Sequence, residues 1–298
     1  MPKKIASPLS RKATLVSVEI SQWSARKYDK KITDEVNKSR GASDDAGRYN
    51  KLLIEAKRLK TLNGLISQAR ELHYKYTKPW CDEGLRILPN SLHAKFAEEF
   101  RTLKRSFDEA ADQFAREYPG FIEERKRKLN GLFADSDYPK PEEIRSKFKL
   151  ATKTFPIPEA GDFRSDTLDE ATLADIKREL TETAEQVDRD MLKDTVDQIV
   201  DVVGNMSKKL KEYTGTGKDH AGPKSFFTDS LVSKVRELAD LLPHFNVDND
   251  PKLTGVIARI QKELCVEETT TLRENDTVRD TVQKSADDIL KDVEALLG

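Results

Sequence analysis

Two stretches of this sequence alternate between apolar and polar residues in the manner of β-strands. In residues 14–21, TLVSVEIS, the apolar Val16, Val18 and Ile20 alternate with polar residues, and in residues 148–155, FKLATKTF, Phe148, Leu150, Thr152 and Thr154 share one face. A strand must pair to satisfy its backbone N–H and C=O groups, so we expect these two stretches to form a minor two-stranded β element. Pro156 and Pro158 then end the ladder, because proline has no N–H to donate.

Helical periodicity fills the chain between these strands. Apolar residues recur three or four positions apart from Tyr49 to Tyr76, and phenylalanine recurs every seven residues from Phe100 to Phe121. The heptad spacing is typical of the seam of an antiparallel helical hairpin or coiled coil. The segment between the two helices, residues 77–91 (TKPWCDEGLRILPNS), contains several helix breakers and therefore indicates a turn.

The second half of the chain is predicted to begin with its longest element. An apolar stripe with a mean step near 3.6 residues predicts a nearly straight helix over about residues 169–213. Three shorter helices follow. We expect the first to end at Pro243, and the second to begin with Asp250 as N-cap and Pro251 in its first turn.

The charge of the chain changes sign near its middle. Residues 1–153 contain 33 Lys and Arg against 22 Asp and Glu, a net charge of +11, whereas residues 154–298 contain 19 against 31, a net charge of −12. We therefore predict a mainly α, elongated helical hairpin or coiled-coil bundle with two lobes. The basic N-terminal lobe spans residues 1–158, and the acidic C-terminal lobe spans residues 159–298.

Composition argues against several classes of binding site. Glycine is scarce at 13 residues, and the two cysteines and four histidines show no metal-ligand spacing. We expect no metal, no cofactor and no disulfide. No apolar stretch approaches about 18 residues, and no signal-like apolar segment follows the N-terminus. The sequence predicts a soluble protein of the cytoplasm that does not associate with membranes.

One segment comes close to a phosphate-binding loop. Residues 217–225, GKDHAGPKS, resemble the pattern G-x-x-x-x-G-K-[ST], but Pro223 stands between Gly222 and Lys224. The proline removes one backbone N–H from the phosphate cradle, and a helix rather than a strand precedes the segment. We interpret it as a connection between helices.

Two further features suggest chemistry only weakly. Cys81 lies in the proline-rich turn without a base beside it in sequence, so a packed hinge residue is the better interpretation. Five carboxylates of the long helix lie at spacings that scatter them around its surface, which is typical of a solvated acidic face rather than a metal site. Since no hydrolase, zinc-protease or dinucleotide signature is present, we predict that the protein is not an enzyme. The five carboxylates belong to Asp188, Asp190, Asp194, Asp197 and Asp201.

Basic clusters in the first half are the feature that most resembles a functional surface. Lysine and arginine attract phosphate backbones and release counterions on binding, so these clusters are candidates for binding nucleic acid. Exposed helices also carry lysines interleaved with glutamates, and the opposite charges of the two halves equally permit self-association or masking of one half by the other. The candidate residues are Arg26, Lys27, Lys30, Lys31, Lys57, Arg58, Lys60, Arg125, Lys126, Arg127 and Lys128.

Several segments together resemble a helical family of unknown function from tailed phages and prophages. They are LVSVEISQW at 15–23, GLRILP at 84–89, DYPKPEEIRSKF at 137–148, PIPEAGDFR at 156–164 and FFTDSLVSKVRELADLLPHFNVDNDPKL at 226–253. Members of that family are often encoded near MoxR-type AAA+ ATPases and proteins with von Willebrand factor A domains. The resemblance implies a part in an ATP-driven remodelling assembly, and it carries no catalytic residues to this chain.

Three functions follow from these observations. The first is a non-enzymatic, phage-encoded interaction or assembly protein of the host cytoplasm, an adaptor for an AAA+ machine, expected to form a homo-oligomer. The second is a DNA- or RNA-binding protein that uses the basic N-terminal lobe. The third is a head-assembly scaffold, although the C-terminal segment DDILKDVEALLG is acidic where a scaffold is expected to be basic.

Overall fold

The computed structural model describes residues 9–80, 84–159, 161, 165, 167–213 and 227–296. The chain forms two compact units. Unit 1 contains Met1–Val16, Tyr76–Ala94 and Thr154–Gly298, and unit 2 contains Ser17–Lys75 and Lys95–Lys153. This division differs from the predicted one at residue 158, because the segments at 1–16 and 76–94 pack with the C-terminal part of the chain.

The strands of the described residues are β1 (Ala13–Ser21), β2 (Arg26–Tyr28), β3 (Asn50–Leu52), β4 (Lys78–Pro79), β5 (Arg86–Pro89) and β6 (Lys149–Phe155). A four-stranded sheet with the strand order β4-β5-β1-β6 confirms the predicted pairing of residues 14–21 with 148–155, since β1 and β6 are neighbours. A separate two-stranded sheet joins β2 and β3.

The β element is therefore larger than the two strands that were predicted. The segment at 77–91 that was predicted as a turn supplies both β4 and β5, which pair antiparallel with Lys78 opposite Ile87. Strand β5 in turn pairs antiparallel with β1, where Ala13 lies opposite Pro89. Ile87 and Leu88 are fully buried, so burial of their side chains outweighs the breaking tendency of the nearby prolines.

The chain is mainly helical, as predicted. The long helix predicted at about 169–213 is confirmed: it spans Glu170–Lys211, and its N-cap Asp169 accepts a hydrogen bond from the backbone N–H of Thr172. The helices are α1 (Lys30–Ser39), α2 (Lys60–Tyr76), α3 (His93–Leu129), α4 (Pro141–Ile144), α5 (Glu170–Lys211), α6 (Ser230–Phe245), α7 (Pro251–Arg259), α8 (Thr269–Glu274) and α9 (Asp276–Glu294).

Two helix boundaries differ from the prediction. The periodic stretch from Tyr49 begins with strand β3 and a 3₁₀ turn, so α2 starts only at Lys60. Pro243 lies inside the last turn of α6 rather than beyond it. In contrast, the predicted start of α7 is confirmed, because the Asp250 side chain accepts hydrogen bonds from the backbone N–H groups of Lys252 and Leu253.

Helices α2 and α3 lie side by side in unit 2 and run in opposite directions. Leu62, near the start of α2, shares a cleft with Phe114, far along α3. Leu72, near the end of α2, shares a groove with Lys95, near the start of α3. The phenylalanines of the predicted seam are all buried, so this part of the prediction is confirmed. They are Phe96, Phe100, Phe107, Phe114 and Phe121.

In unit 1, α5 packs against α6, α9 and strand β4. The buried side chains of α5 begin at Val187, which packs in a small cluster with Leu15 and Ile87. From Val196 onward the helix contributes one wall of a larger apolar core that also contains Leu242, Ile260 and Ile289. Lys78 of β4 is the most deeply enclosed cation among the described residues of this unit: it is 0% exposed and binds Asp194 of α5.

Candidate nucleic-acid interface

All eleven candidate basic residues lie in unit 2. The unit contains 27 Lys and Arg against 20 Asp and Glu, a net charge of +7. The candidates lie on elements that are far apart in sequence, namely the β2–β3 ribbon, the first turn of α1, the entry to α2 and the end of α3. The basic residues predicted separately from the sequence therefore belong to one compact unit.

Strands β2 and β3 form a short antiparallel ribbon, and one of its faces is exposed over its whole length. Arg26 lies opposite Leu52, and Tyr28 lies opposite Asn50. Residues that are opposite each other or two positions apart share a face, so these four side chains point to the same side. All four are exposed. Tyr28 and Leu52 are each 45% exposed, which presents apolar surface beside a cation.

The residues before β3 add a further cation and a further exposed ring next to the ribbon. The guanidinium carbon of Arg48 lies 5.8 Å from the centre of the Tyr28 ring. Tyr49 is 37% exposed. Its backbone N–H donates to the Thr33 hydroxyl at 3.0 Å and its carbonyl accepts from the Asp29 N–H at 3.0 Å, so the ribbon is tied to α1 through main-chain contacts.

The opposite face of the ribbon is anchored by a buried ion pair. The ammonium of Lys51 lies 3.1 Å from Asp29 and 2.8 Å from Asp137, and the Lys51 side chain is 6% exposed. Burial opposes the charged form of Lys51, but the two carboxylates outweigh it and raise the pKa of the lysine. Lys51 therefore fixes β3 against α1 and against the segment after α3.

The first turn of α1 adds two cations next to the ribbon. Asp29 caps the helix by accepting the backbone N–H of Ile32, and this hydrogen bond, followed by the contact with Lys51, lowers the pKa of Asp29. Lys30 and Lys31 follow directly and are exposed. We call the set of exposed residues Arg26, Lys27, Tyr28, Lys30, Lys31, Arg48 and Tyr49 the basic ribbon. Within it, Lys27 lies opposite Lys51 and so points to the other side of the two strands from Arg26 and Tyr28.

The cations of the basic ribbon are not neutralised by carboxylates, unlike several of the remaining candidates. Within the part of the chain that the structure describes, Arg26, Lys27, Lys30 and Lys31 form no ion pair. A phosphate that binds there does not have to displace a carboxylate of the protein. Their charge therefore remains available to a ligand.

Three other candidates are neutralised by two glutamates. Glu55 pairs with Lys57 at 2.7 Å and also with Lys128, and these contacts lower the pKa of Glu55 to about 2. Glu124 pairs with Arg58 at 3.0 Å and with Lys128 at 2.9 Å. These cations belong to a surface ion-pair network and contribute little to a basic patch.

The basic residues at the end of α3, residues 125–128, differ from one another in their contacts. Arg125 donates to the carbonyl of Leu52 at 2.7 Å, which places this run beside β3. The ammonium of Lys126 lies 5.6 Å from the centre of the Phe133 ring. Lys60 and Arg127 are exposed and form no ion pair with any described residue.

Sequence reasoning missed the aromatic part of the interface. Tyr28 and Tyr49 each follow a basic residue in a short segment, RKY at 26–28 and RYNK at 48–51. That interleaving of cations and rings was a usable signal, because stacking on exposed aromatics accompanies phosphate binding in many nucleic-acid sites. It became visible only once the two segments were paired as strands.

The other candidate sites of the sequence contribute no further chemistry. Residues 217–225 and Cys81 lie outside the described residues. Among the described residues, no group of three or more His, Cys, Asp or Glu could hold a metal ion. Of the five carboxylates on α5, Asp194 is the partner of Lys78 rather than part of a solvated face. None of the described helices has an apolar segment long enough to cross a bilayer.

Comparison of the chain with protein-family models, with curated proteins and with solved structures found no match.

Proposed function

We propose that this protein is a non-enzymatic nucleic-acid-binding protein that uses the basic ribbon of unit 2. The observation that carries the proposal is the presence of four exposed cations without ion pairs next to two exposed tyrosines. Cations hold the phosphate backbone, and aromatic rings accept unstacked bases. We therefore expect single-stranded DNA or RNA to bind more tightly than a duplex.

The charge part of this proposal is tested by fluorescence anisotropy with labelled single-stranded and duplex oligonucleotides over a salt series. The variant R26E/K27E/K30E/K31E is expected to weaken binding at low salt by about 10- to 100-fold, and to flatten the salt dependence, because fewer counterions are released. Reversing the run at 125–128 is a poorer test, since Arg125 and Lys128 hold contacts within the fold.

The matched control is R70E/R101E/K140E/K147E, which makes the same change in net charge at exposed positions of unit 2 outside the basic ribbon. It should weaken binding by only a few-fold, through the general field of the protein. Equal losses in the two variants, or no binding by the unaltered protein at low salt, would refute the proposal.

The stacking part of the proposal is tested by Tyr28→Ala. Removal of a stacking ring costs about 1–3 kcal/mol per base, so affinity for single strands should fall by about 5- to 100-fold while duplex affinity changes little. Tyr74→Ala is the control, since Tyr74 is 58% exposed on α2 in the same unit. If both substitutions have the same effect on single-strand affinity, Tyr28 does not stack on a base.

Our second proposal is the interaction or assembly function, with an adaptor role for an AAA+ ATPase as its specific form. It rests on the resemblance to the phage family, and the structural observation that favours a protein partner is an apolar cleft with an acidic rim in unit 1. The head-scaffold and homo-oligomer hypotheses rest on composition and helical periodicity alone.

A further inference from the structure

Unit 1 contains a cleft of about 270 Å³ between α5 and the connection from α6 to α7. Its floor is apolar and is formed by Met191 of α5, Phe245 at the end of α6 and Leu253 of α7, all of which are buried. Leu192 of α5 lies half-buried in the wall. The volume lies below the range of about 300–1,000 Å³ typical of small-molecule sites, and it suits one or two side chains of a partner.

The rim of this cleft is acidic. Asp188, Asp248 and Asp250 all line it and are exposed. Two of these three carboxylates already have partners within the protein: Asp250 caps α7, and Asp248 accepts from the ammonium of Lys12 at 3.1 Å. Lys12 also donates to the carbonyl of Val247 at 3.0 Å, which fixes its ammonium at Asp248.

Asp188 is the rim carboxylate that remains unmatched. It forms no hydrogen bond or ion pair with any residue in the described part of the chain. Its neighbour Arg189 also lines the cleft, but its guanidinium is directed to Gln186, whose side-chain oxygen accepts from it at 2.8 Å. Although Asp188 reaches solvent, the protein atoms beside it and then the charge of Asp248 raise its pKa. A cation of a ligand next to Asp188 would stabilise the charged carboxylate and so offset both the desolvation and the repulsion from Asp248.

We propose that this cleft binds a basic amphipathic peptide segment of a protein partner, with one large aliphatic or aromatic side chain in the apolar floor and a flanking lysine or arginine at Asp188. The apolar floor supplies the anchor pocket found at the centre of many interfaces. The unpaired carboxylate of Asp188 favours a partner with a positive charge at this position. This inference does not depend on nucleic-acid binding, which belongs to unit 2 and to a ligand of opposite charge.

The probe is a fluorescein-labelled hexapeptide with Leu-Trp at its centre and two lysines on each side, measured by anisotropy with the full chain at 50 mM salt. We expect saturable binding of this peptide and none of the matched peptide in which glutamates replace the lysines. Asp188→Lys and Leu192→Trp should each weaken binding at least tenfold, the first by repulsion and the second by filling the cleft.

Matched controls on α5 separate the cleft from general electrostatics. Asp197→Lys and Val200→Trp change exposed residues of the same helix that do not line the cleft, and each should alter affinity less than twofold. Circular dichroism of the four variants should show the helical spectrum of the unaltered protein, which checks that they fold. The proposal is overturned if the lysine peptide shows no saturable binding, if both peptides bind alike, or if the control substitutions weaken binding as much as their partners in the cleft.

Discussion

Replacing Lys51 with methionine is expected to lower the free energy of unfolding of unit 2 by about 3–5 kcal/mol, because removal of one partner from a buried ion pair leaves charge without compensation. The side chain of Lys51 is only 6% exposed, and it holds Asp29 and Asp137 at 3.1 and 2.8 Å. These carboxylates are themselves 18% and 14% exposed. Water can therefore replace the lost ammonium only in part.

The loss in Lys51→Met should shrink as the pH is lowered from 7 towards 4. Two carboxylates that share a site without a counterion cannot both remain charged, so the pKa of at least one rises above its unfolded value. The folded variant then binds more protons than the unfolded chain in this window, and its stability rises as the pH falls. The original protein should not show this recovery, because the Lys51 ammonium neutralises the site and helps to lower the pKa of Asp29.

Unit-specific unfolding can be followed because each unit contains one of the two tryptophans, Trp23 in unit 2 and Trp80 in unit 1. In a Trp80→Phe background, urea unfolding monitored at Trp23 reports unit 2. Lys38→Met, an exposed lysine of α1, is the control and should change stability by less than about 0.5 kcal/mol. If Lys51→Met behaves like this control, the buried ion pair does not hold the ribbon in place.

Lys78 is expected to make unit 1 more stable as the pH rises from about 8 to 10.5. Its side chain is 0% exposed, and its ammonium binds Asp194 at 2.8 Å and Gln198 at 2.9 Å and lies 4.1 Å from the centre of the Phe245 ring. Burial outweighs the attraction of Asp194 and lowers the pKa of Lys78 to about 8. The charged lysine is therefore enclosed at a cost in stability.

The sign of the pH effect follows from proton binding. Between pH 8 and 10.5 the unfolded chain keeps the lysine proton while the folded chain releases it, so the free energy of unfolding rises with pH. Lowering the pKa of Lys78 from its ordinary value of 10.5 to about 8 corresponds to about 3 kcal/mol over this window. Below pH 8 the penalty is present in full.

The measurement compares the original protein with Lys78→Met in a Trp23→Phe background, with unfolding followed at Trp80 at several pH values. The difference in stability between the two should change by about 3 kcal/mol from pH 7.5 to 10.5. Using the difference removes the contribution of other groups, such as Tyr118 and Tyr138, whose pKa values are raised by burial. Lys193→Met, an exposed lysine on α5, serves as control. A difference that does not vary with pH would mean that Lys78 titrates as an exposed lysine does.

The pattern of the sequence determined the elements whose signals are local and long. The apolar stripe of α5 continues over 42 residues, so a single misplaced residue could not obscure its period. The start of α7 was determined by Asp250 and Pro251, since capping depends on neighbours two or three positions away. The pairing of β1 with β6 followed from the requirement that an isolated alternating segment find a partner.

Strands β2 to β5 could not be predicted from the sequence, because each is only two to four residues long. A period of two cannot be recognised in so few positions. Proline at both ends of the segment at 77–91 also favoured a turn over a hairpin. These strands exist because tertiary contacts bury Ile87 and Leu88 and enclose Lys51, and such contacts outweigh local propensity.

The sequence by itself determined that the first half of the chain carries an excess of positive charge, but only the tertiary structure decided which cations can meet a ligand. Lys27, Lys51 and Lys78 are the same residue type, yet the first is exposed while the other two are buried and form ion pairs. The partners lie 86 residues from Lys51, at Asp137, and 116 residues from Lys78, at Asp194. Burial and ion pairing depend on such distant contacts, which no local pattern specifies.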